Sequence, residues 1–211
     1  MPMQQYVERG HLGGYVAGGD PATFYPELWT WLVKDYGIRS VVDVGCGEGH
    51  AVIYFESLGI DTIGIDGIAQ EHPRVLQHDY TEGRYRHSFL RDGPEGPWRD
   101  DRCDLIWCCE FVEHIEERFI PNFLWTFSSA KLVLMTHAGP GQVGYHHVNC
   151  QEANYWIGVM AAIGFSFDAE LTARTRTIAG ANTEIGNHYR RSGLAFLTSA
   201  AHEKMHGERR S

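Results

Sequence analysis

The sequence predicts an α/β fold: a three-layer arrangement around a mostly parallel sheet, with an antiparallel C-terminal strand. Three observations point there. Short apolar runs alternate with stretches of helical spacing along most of the 211 residues. The first strong run, "SVVDV", ends in the glycine-rich turn "GCGEG". The turns after successive runs carry acids and histidines, and in open parallel sheets ligands bind beyond the carboxyl ends of the strands.

The elements follow in order. Pro26 suits the start of a helix over "ELWTWLVKDYG", which Gly37 ends. "SVVDVG" is a strand and "GHAVIYFESLG" a helix closed by Gly59. "DTIGID", "RVLQHD" and "CDLIWCC" are the next strands. "EERFIPNFLWTFSS" reads as a helix kinked at Pro121. "AKLVLMTH" is the fifth strand, and "CQEANYWIGVMAAIG" a helix capped by Gly164. Two further strands are expected at "AELTARTRTI" and "GLAFLTS". The organisation expected is a lid and helix over residues 1–37, a main domain over 38–200 and a polar tail over 201–211, all one folding unit.

Composition narrows the function. With 43% hydrophobic residues the chain can build one core. No apolar run reaches the roughly 18 residues of a membrane span, and the first residues lack the pattern of a secretory signal. Five cysteines without a CxxC pair fit buried thiols and a cytoplasmic location. A net charge of -9, with arginine and lysine scattered, disfavours grip on a nucleic-acid backbone.

The glycine turn is Gly45-x-Gly47-x-Gly49, around Cys46. A dinucleotide fingerprint would place its third glycine where His50 stands, and no Lys-Ser or Lys-Thr pair follows for a phosphate loop. Asp43, two residues before the first glycine, can orient the turn's N–H groups or favour a cationic ligand. Asp66, followed by Gly67, ends the second strand, where a carboxylate can accept from both hydroxyls of a ribose. Asp79 ends the third strand, placed to accept from an adenine amine beneath Tyr80 or an apolar neighbour.

These motifs, "VVDVGCGEG", "IGID", "QHD" and "CDLIWCCEFVEHI", resemble those of the class I S-adenosylmethionine-dependent methyltransferases, in order and spacing over roughly residues 38–165. The resemblance implies a Rossmann-like sheet and S-adenosylmethionine as cofactor. It implies that the first loop wraps the methionine part, Asp66 binds the ribose, Asp79 the adenine amine, and Cys109 lies against the cofactor.

After the fourth strand comes "EFVEHIEE". On a helical turn Glu110, Glu113 and His114, at i, i+3 and i+4, would share a face. Two carboxylates and an imidazole suit Mg²⁺, Mn²⁺, Fe²⁺ or Zn²⁺. Glu116 and Glu117 match the dipole of a helix start. The loop "THAGPGQVGYHHVNCQ" supplies His137, His146 and His147. "EFVEHI" is similar to the E-x-x-E-H motif of metal-dependent O-methyltransferases, which include ubiquinone-biosynthesis enzymes and enzymes that methylate small-RNA 3′ ends. That similarity implies Glu110, Glu113, His114 and His147 as metal ligands. His114, His146 and His147 are the candidate catalytic groups, with His146 or His137 expected to take a proton or support the metal shell. The expected reaction is methylation of a hydroxyl on a small molecule or saccharide. The alternatives are 2′-O-methylation of RNA and a non-catalytic, cofactor-binding regulator.

Overall fold

The computed structural model describes residues 9–12, 16–85, 103–180 and 187–201. Its strands are β1 (Ser40–Val44), β2 (Asp61–Asp66), β3 (Val75–Gln77), β4 (Cys103–Cys108), β5 (Ala130–Met135), β6 (Phe165–Phe167) and β7 (Leu194–Thr198). Its helices are α1 (Pro26–Lys34), α2 (His50–Ser57), α3 (Ile120–Phe127), α4 (Ala153–Ala162), α5 (Ala169–Ala179) and α6 (His188–Ser192). The strands form one sheet in the order β3-β2-β1-β4-β5-β7-β6. β1 to β5 pair in parallel, and β7 runs antiparallel to both β5 and β6. The expected fold class is the one observed.

Alternation of side chains divides the core into two layers. Val42, Ile63, Ile106 and Val133 face one cluster, completed by Phe123 and Phe127 of α3 and Trp156 of α4. Val41, Leu105, Trp107 and Leu134 face the other, completed by Trp29 of α1, Phe55 of α2 and Leu171 of α5. Every residue of β1 is buried, so its run reads as continuous valine rather than as alternation.

Two expectations are corrected. Residues 169–178 form helix α5, not a strand. Asp168 caps it by accepting from the Leu171 N–H at 2.8 Å, and Leu171, Thr172, Thr175 and Ala179 bury one helical stripe. The alternation of Thr with Ala and Arg imitated a strand period. The strand sits just before it, at Phe165–Phe167. Pro121 makes no kink, because it lies in the first turn of α3, where no helical N–H is lost. The expected glycine stops hold: Gly37, Gly59 and Gly164 all have positive φ. Residues 86–102, between β3 and β4, and most of the polar tail lie outside the described residues.

Candidate active site

All five parallel strands end at one edge of the sheet, and a cavity of about 630 Å³ opens there. On one side lies the turn after β1. Gly45, Gly47 and Gly49 have φ of 76°, 53° and 80°, and a Cβ at Gly45 would stand 2.7 Å from the Phe111 ring. Both requirements exclude other residues at Gly45. Asp66 ties this turn to β2: its carboxylate accepts from the Gly47 N–H at 2.8 Å and the Ile68 N–H at 3.0 Å. The Gly67 N–H is a third donor to it; a carboxylate has about four acceptor positions, so Asp66 retains room for one further hydroxyl. Burial raises its pKa, and the backbone donors oppose the shift. Asp43 is buried on the strand itself. Desolvation, and then the charge of Asp66, push it well above the ordinary carboxylate range. Burial likewise raises the Cys46 thiol.

The N-terminal segment roofs this half. Leu12 covers Gly67, and the Gly18 N–H donates to Glu48 at 3.0 Å. Asp79 is heavily committed. It takes Arg9 at 3.0 Å and His11 at 2.9 Å on one oxygen, and the Thr81 N–H and hydroxyl, both at 2.8 Å, on the other. An adenine amine at Asp79 would have to displace one of these. Tyr80 lines the cavity with its ring but sends its hydroxyl to Thr126 at 3.0 Å.

The acidic turn departs from the expected helix face. Glu110 adopts φ +54°, and the single 3-10 turn Val112–His114 follows it. That reversal gives the two glutamates different partners, although their carboxyls still interact. Glu110 turns to His188, with Oε2 3.1 Å from Nδ1. Burial works to raise Glu110, but His188 outweighs it and holds the carboxyl below its usual range. The contact with Glu110 in turn raises His188. Glu113 points inward and is fully buried; among the described residues neither carboxyl oxygen makes a full hydrogen bond, and its close neighbours are the Glu110 carboxyl and the local backbone. Burial, then the charge of Glu110, push its pKa well up.

The histidine loop hangs on the same residue. The Glu113 carbonyl accepts from the N–H groups of Val148 and Asn149 at 3.0 and 3.1 Å. This brings His147 over His114, ring centroids 5.1 Å apart. Among the described residues, Glu113, His114 and His147 offer ligand atoms all within 4.8 Å of one another. Burial, then His147, lower the His114 pKa to about 4, so its imidazole is neutral at pH 7. His147 Nδ1 lies 3.1 Å from the Gln142 carbonyl, which as acceptor fixes the proton there and frees Nε2.

Other expected residues lie elsewhere. His137 is buried beside α6, its N–H donating to Ser192, and is not among the described residues that line the cavity. His146 is also outside that lining. Its ring lies against Gly10 and 6.2 Å from the His11 ring. Cys109 lines the cavity, buried, with burial raising its thiol. His188 and His11 carried no signal in the sequence: each is an isolated histidine, in "GNHYRR" and "RGHLGG", brought to the site by chain folding.

This fold, with a glycine turn and acids at the strand ends, defines a methyltransferase-like α/β domain. Residues 19–191 match the family model described as a methyltransferase domain, and the chain belongs to that family. Two curated relatives, the ubiquinone biosynthesis O-methyltransferases of two Rickettsia bellii strains, are 22% identical over 131 residues, 61% of this chain and 50% of theirs. The chain thus spans about half the length of the curated relatives it matches. Among solved structures, a TehB-like SAM-dependent methyltransferase from Corynebacterium glutamicum superposes with a TM-score of 0.54 at 16% identity, covering 86% of this chain and 90% of that one. The 1,6-didemethyltoxoflavin-N1-methyltransferase of Burkholderia thailandensis, solved with S-adenosylhomocysteine, gives 0.50 at 12% identity, covering 81% and 73%. At these identities the likeness is one of fold.

Proposed function

We propose that the chain transfers a methyl group from S-adenosylmethionine to a hydroxyl of a small molecule or saccharide, assisted by a divalent metal ion. The observation that carries this reading is Glu113. A fully buried carboxyl that makes no full hydrogen bond among the described residues is unfavourable unless something meets it, and two imidazoles converge on the same point. One carboxylate and two nitrogen ligands suit Zn²⁺, Fe²⁺ or Mn²⁺. Glu110, implied as a ligand by the family motif, is here the partner of His188, so the ligand set proposed is Glu113, His114 and His147.

S-Adenosylmethionine would supply an electrophilic methyl group. For its binding we assign the turn Gly45–Cys46–Gly47, Asp43, Asp66 with Gly67, and Cys109, with Asp79 and Tyr80 at the adenine end. The fit is supported by the free acceptor capacity of Asp66 and the size of the cavity. A raised Asp43 beneath the turn gains from a nearby positive charge, which favours its ionised form. The metal trio would polarise and direct the acceptor oxygen. Much of the acceleration would come from holding that oxygen in line. Among the described residues no helix is long and apolar enough to cross a membrane.

The test is direct. Titration calorimetry with S-adenosylhomocysteine should show one site, and elemental analysis of protein reconstituted with Zn²⁺ or Mn²⁺ should show one ion. Removing that ion with a chelator should abolish methyl transfer to hydroxyl acceptors and leave S-adenosylhomocysteine binding intact. Transfer that is indifferent to metal content would remove the metal from the reading.

A further inference from the structure

Beside the trio at Glu113, the cavity is lined by a second acid–base pair, Glu110 and His188. Glu110 occupies the left-handed region at φ +54°, a strain of order 1 kcal/mol for a non-glycine residue. Both ends of the residue are fixed. Its N–H donates to Thr136 Oγ1 at 2.7 Å, and the Thr136 hydroxyl donates to Oε1 at 3.3 Å. The remaining oxygen, Oε2, meets His188 Nδ1 at 3.1 Å.

His188 is equally constrained. It opens α6 between two buried residues, Asn187 and Tyr189. Asn187 caps the helix by accepting from the Arg190 N–H at 2.9 Å, and the Tyr189 N–H donates to the Tyr25 hydroxyl at 3.0 Å. The imidazole keeps 27% of its surface exposed and lines the cavity. Its Nε2 faces Asp20 Oδ2 at 3.7 Å, too far for a direct hydrogen bond. A carboxylate behind one ring nitrogen, with the other turned to a cleft, is the arrangement of a general base and its orienting acid.

We propose that His188 Nε2 takes the proton of the acceptor hydroxyl, with Glu110 holding the Nδ1 proton and stabilising the imidazolium. This rests on the reading of the site as an O-methyltransferase. In the step the acceptor O–H bond breaks and its proton passes to Nε2. The oxygen lone pair forms the bond to the methyl carbon, and the carbon–sulfur bond breaks with its pair going to sulfur. His188 then releases the proton to solvent.

The test compares wild type with H188N and E110Q, using catechol and the more acidic, chromogenic 4-nitrocatechol as probes. S-Adenosylhomocysteine affinity and metal content should match wild type in H188N, since His188 belongs to neither site. Catechol methylation should fall by about 10²- to 10⁴-fold, the range for loss of a general base. With 4-nitrocatechol, which gives up its proton more readily, the loss should be at least tenfold smaller. In the complex with S-adenosylhomocysteine, bound 4-nitrocatechol should show less of its phenolate absorbance in H188N than in wild type. E110Q should shift rate and absorbance in the same direction. Equal losses on both probes, unchanged rates, or unchanged absorbance would overturn the proposal. Should wild type bind no S-adenosylhomocysteine, or methylate neither probe, the O-methyltransferase reading itself fails and takes this one with it.

Discussion

Gly47 donates its backbone N–H to Asp66 Oδ2 over 2.8 Å, joining the turn after β1 to the end of β2. The bond matters because both strands then present their ligand-facing groups as one rigid wall. Asp66→Ala should weaken S-adenosylhomocysteine binding by roughly 10- to 100-fold, about 1.5–3 kcal/mol for hydrogen bonds to a charged group. Calorimetry gives the affinity. Asp66→Asn should fall between, since it keeps one acceptor oxygen.

On the proposed ligand set, Glu113 would separate metal binding from folding. Its carboxyl is buried and makes no full hydrogen bond among the described residues, so the metal-free chain should gain nothing from its charge. Glu113→Gln should leave the thermal midpoint of the metal-free protein unchanged or higher. Adding Zn²⁺ or Mn²⁺ should raise the midpoint of wild type through binding to the folded state, and not that of the variant. Differential scanning fluorimetry with and without metal reads both effects.

Asp43 gives the ligand-free protein a pH dependence of definite sign. Its folded pKa lies well above the ordinary value of 3.8, so the folded state binds the proton more tightly than the unfolded chain. The stability it contributes is complete below pH 3.8 and is lost as pH rises through the folded pKa. Asp43→Asn removes this titration. Urea unfolding at a series of pH values from 5 to 8 should show the variant gaining on wild type as pH rises. A constant difference across that range would contradict the assignment.

Tyr25 links the N-terminal segment to α6. Its hydroxyl accepts the Tyr189 N–H and donates to the Ala22 carbonyl. Tyr25→Phe leaves that buried N–H unpaired, at about 1–3 kcal/mol. Urea denaturation should show the loss. Because Tyr189 adjoins His188, the catechol rate should fall as well, while metal content stays constant.

Much of the sheet was legible because parallel strands buried on both faces must be apolar and short, and the glycines that end α1, α2 and α4 need positive φ. Residues 169–178 were misread because Thr and Ala serve either period. The Asp168 cap, the buried stripe from Leu171 to Ala179 and the hydrogen bonds of Thr175 with Tyr189 and Thr172 with Ala195 favour the helix. The acids at the strand ends were legible as a set for the same topological reason. Each follows an apolar run, and parallel pairing carries all the run ends to one edge.

Within the site the division is sharper. The sequence alone determined that the turns after the first four strands gather at one edge, because strand direction is settled by the crossover connections. It could not distinguish Glu110 from Glu113, which a regular helix would have placed on one face. A positive φ at Glu110 sends one carboxylate to His188 and leaves the other buried with His114 and His147. That choice depends on Thr136 of the strand end and on an α6 histidine 78 positions away in the chain, contacts that local periodicity does not encode.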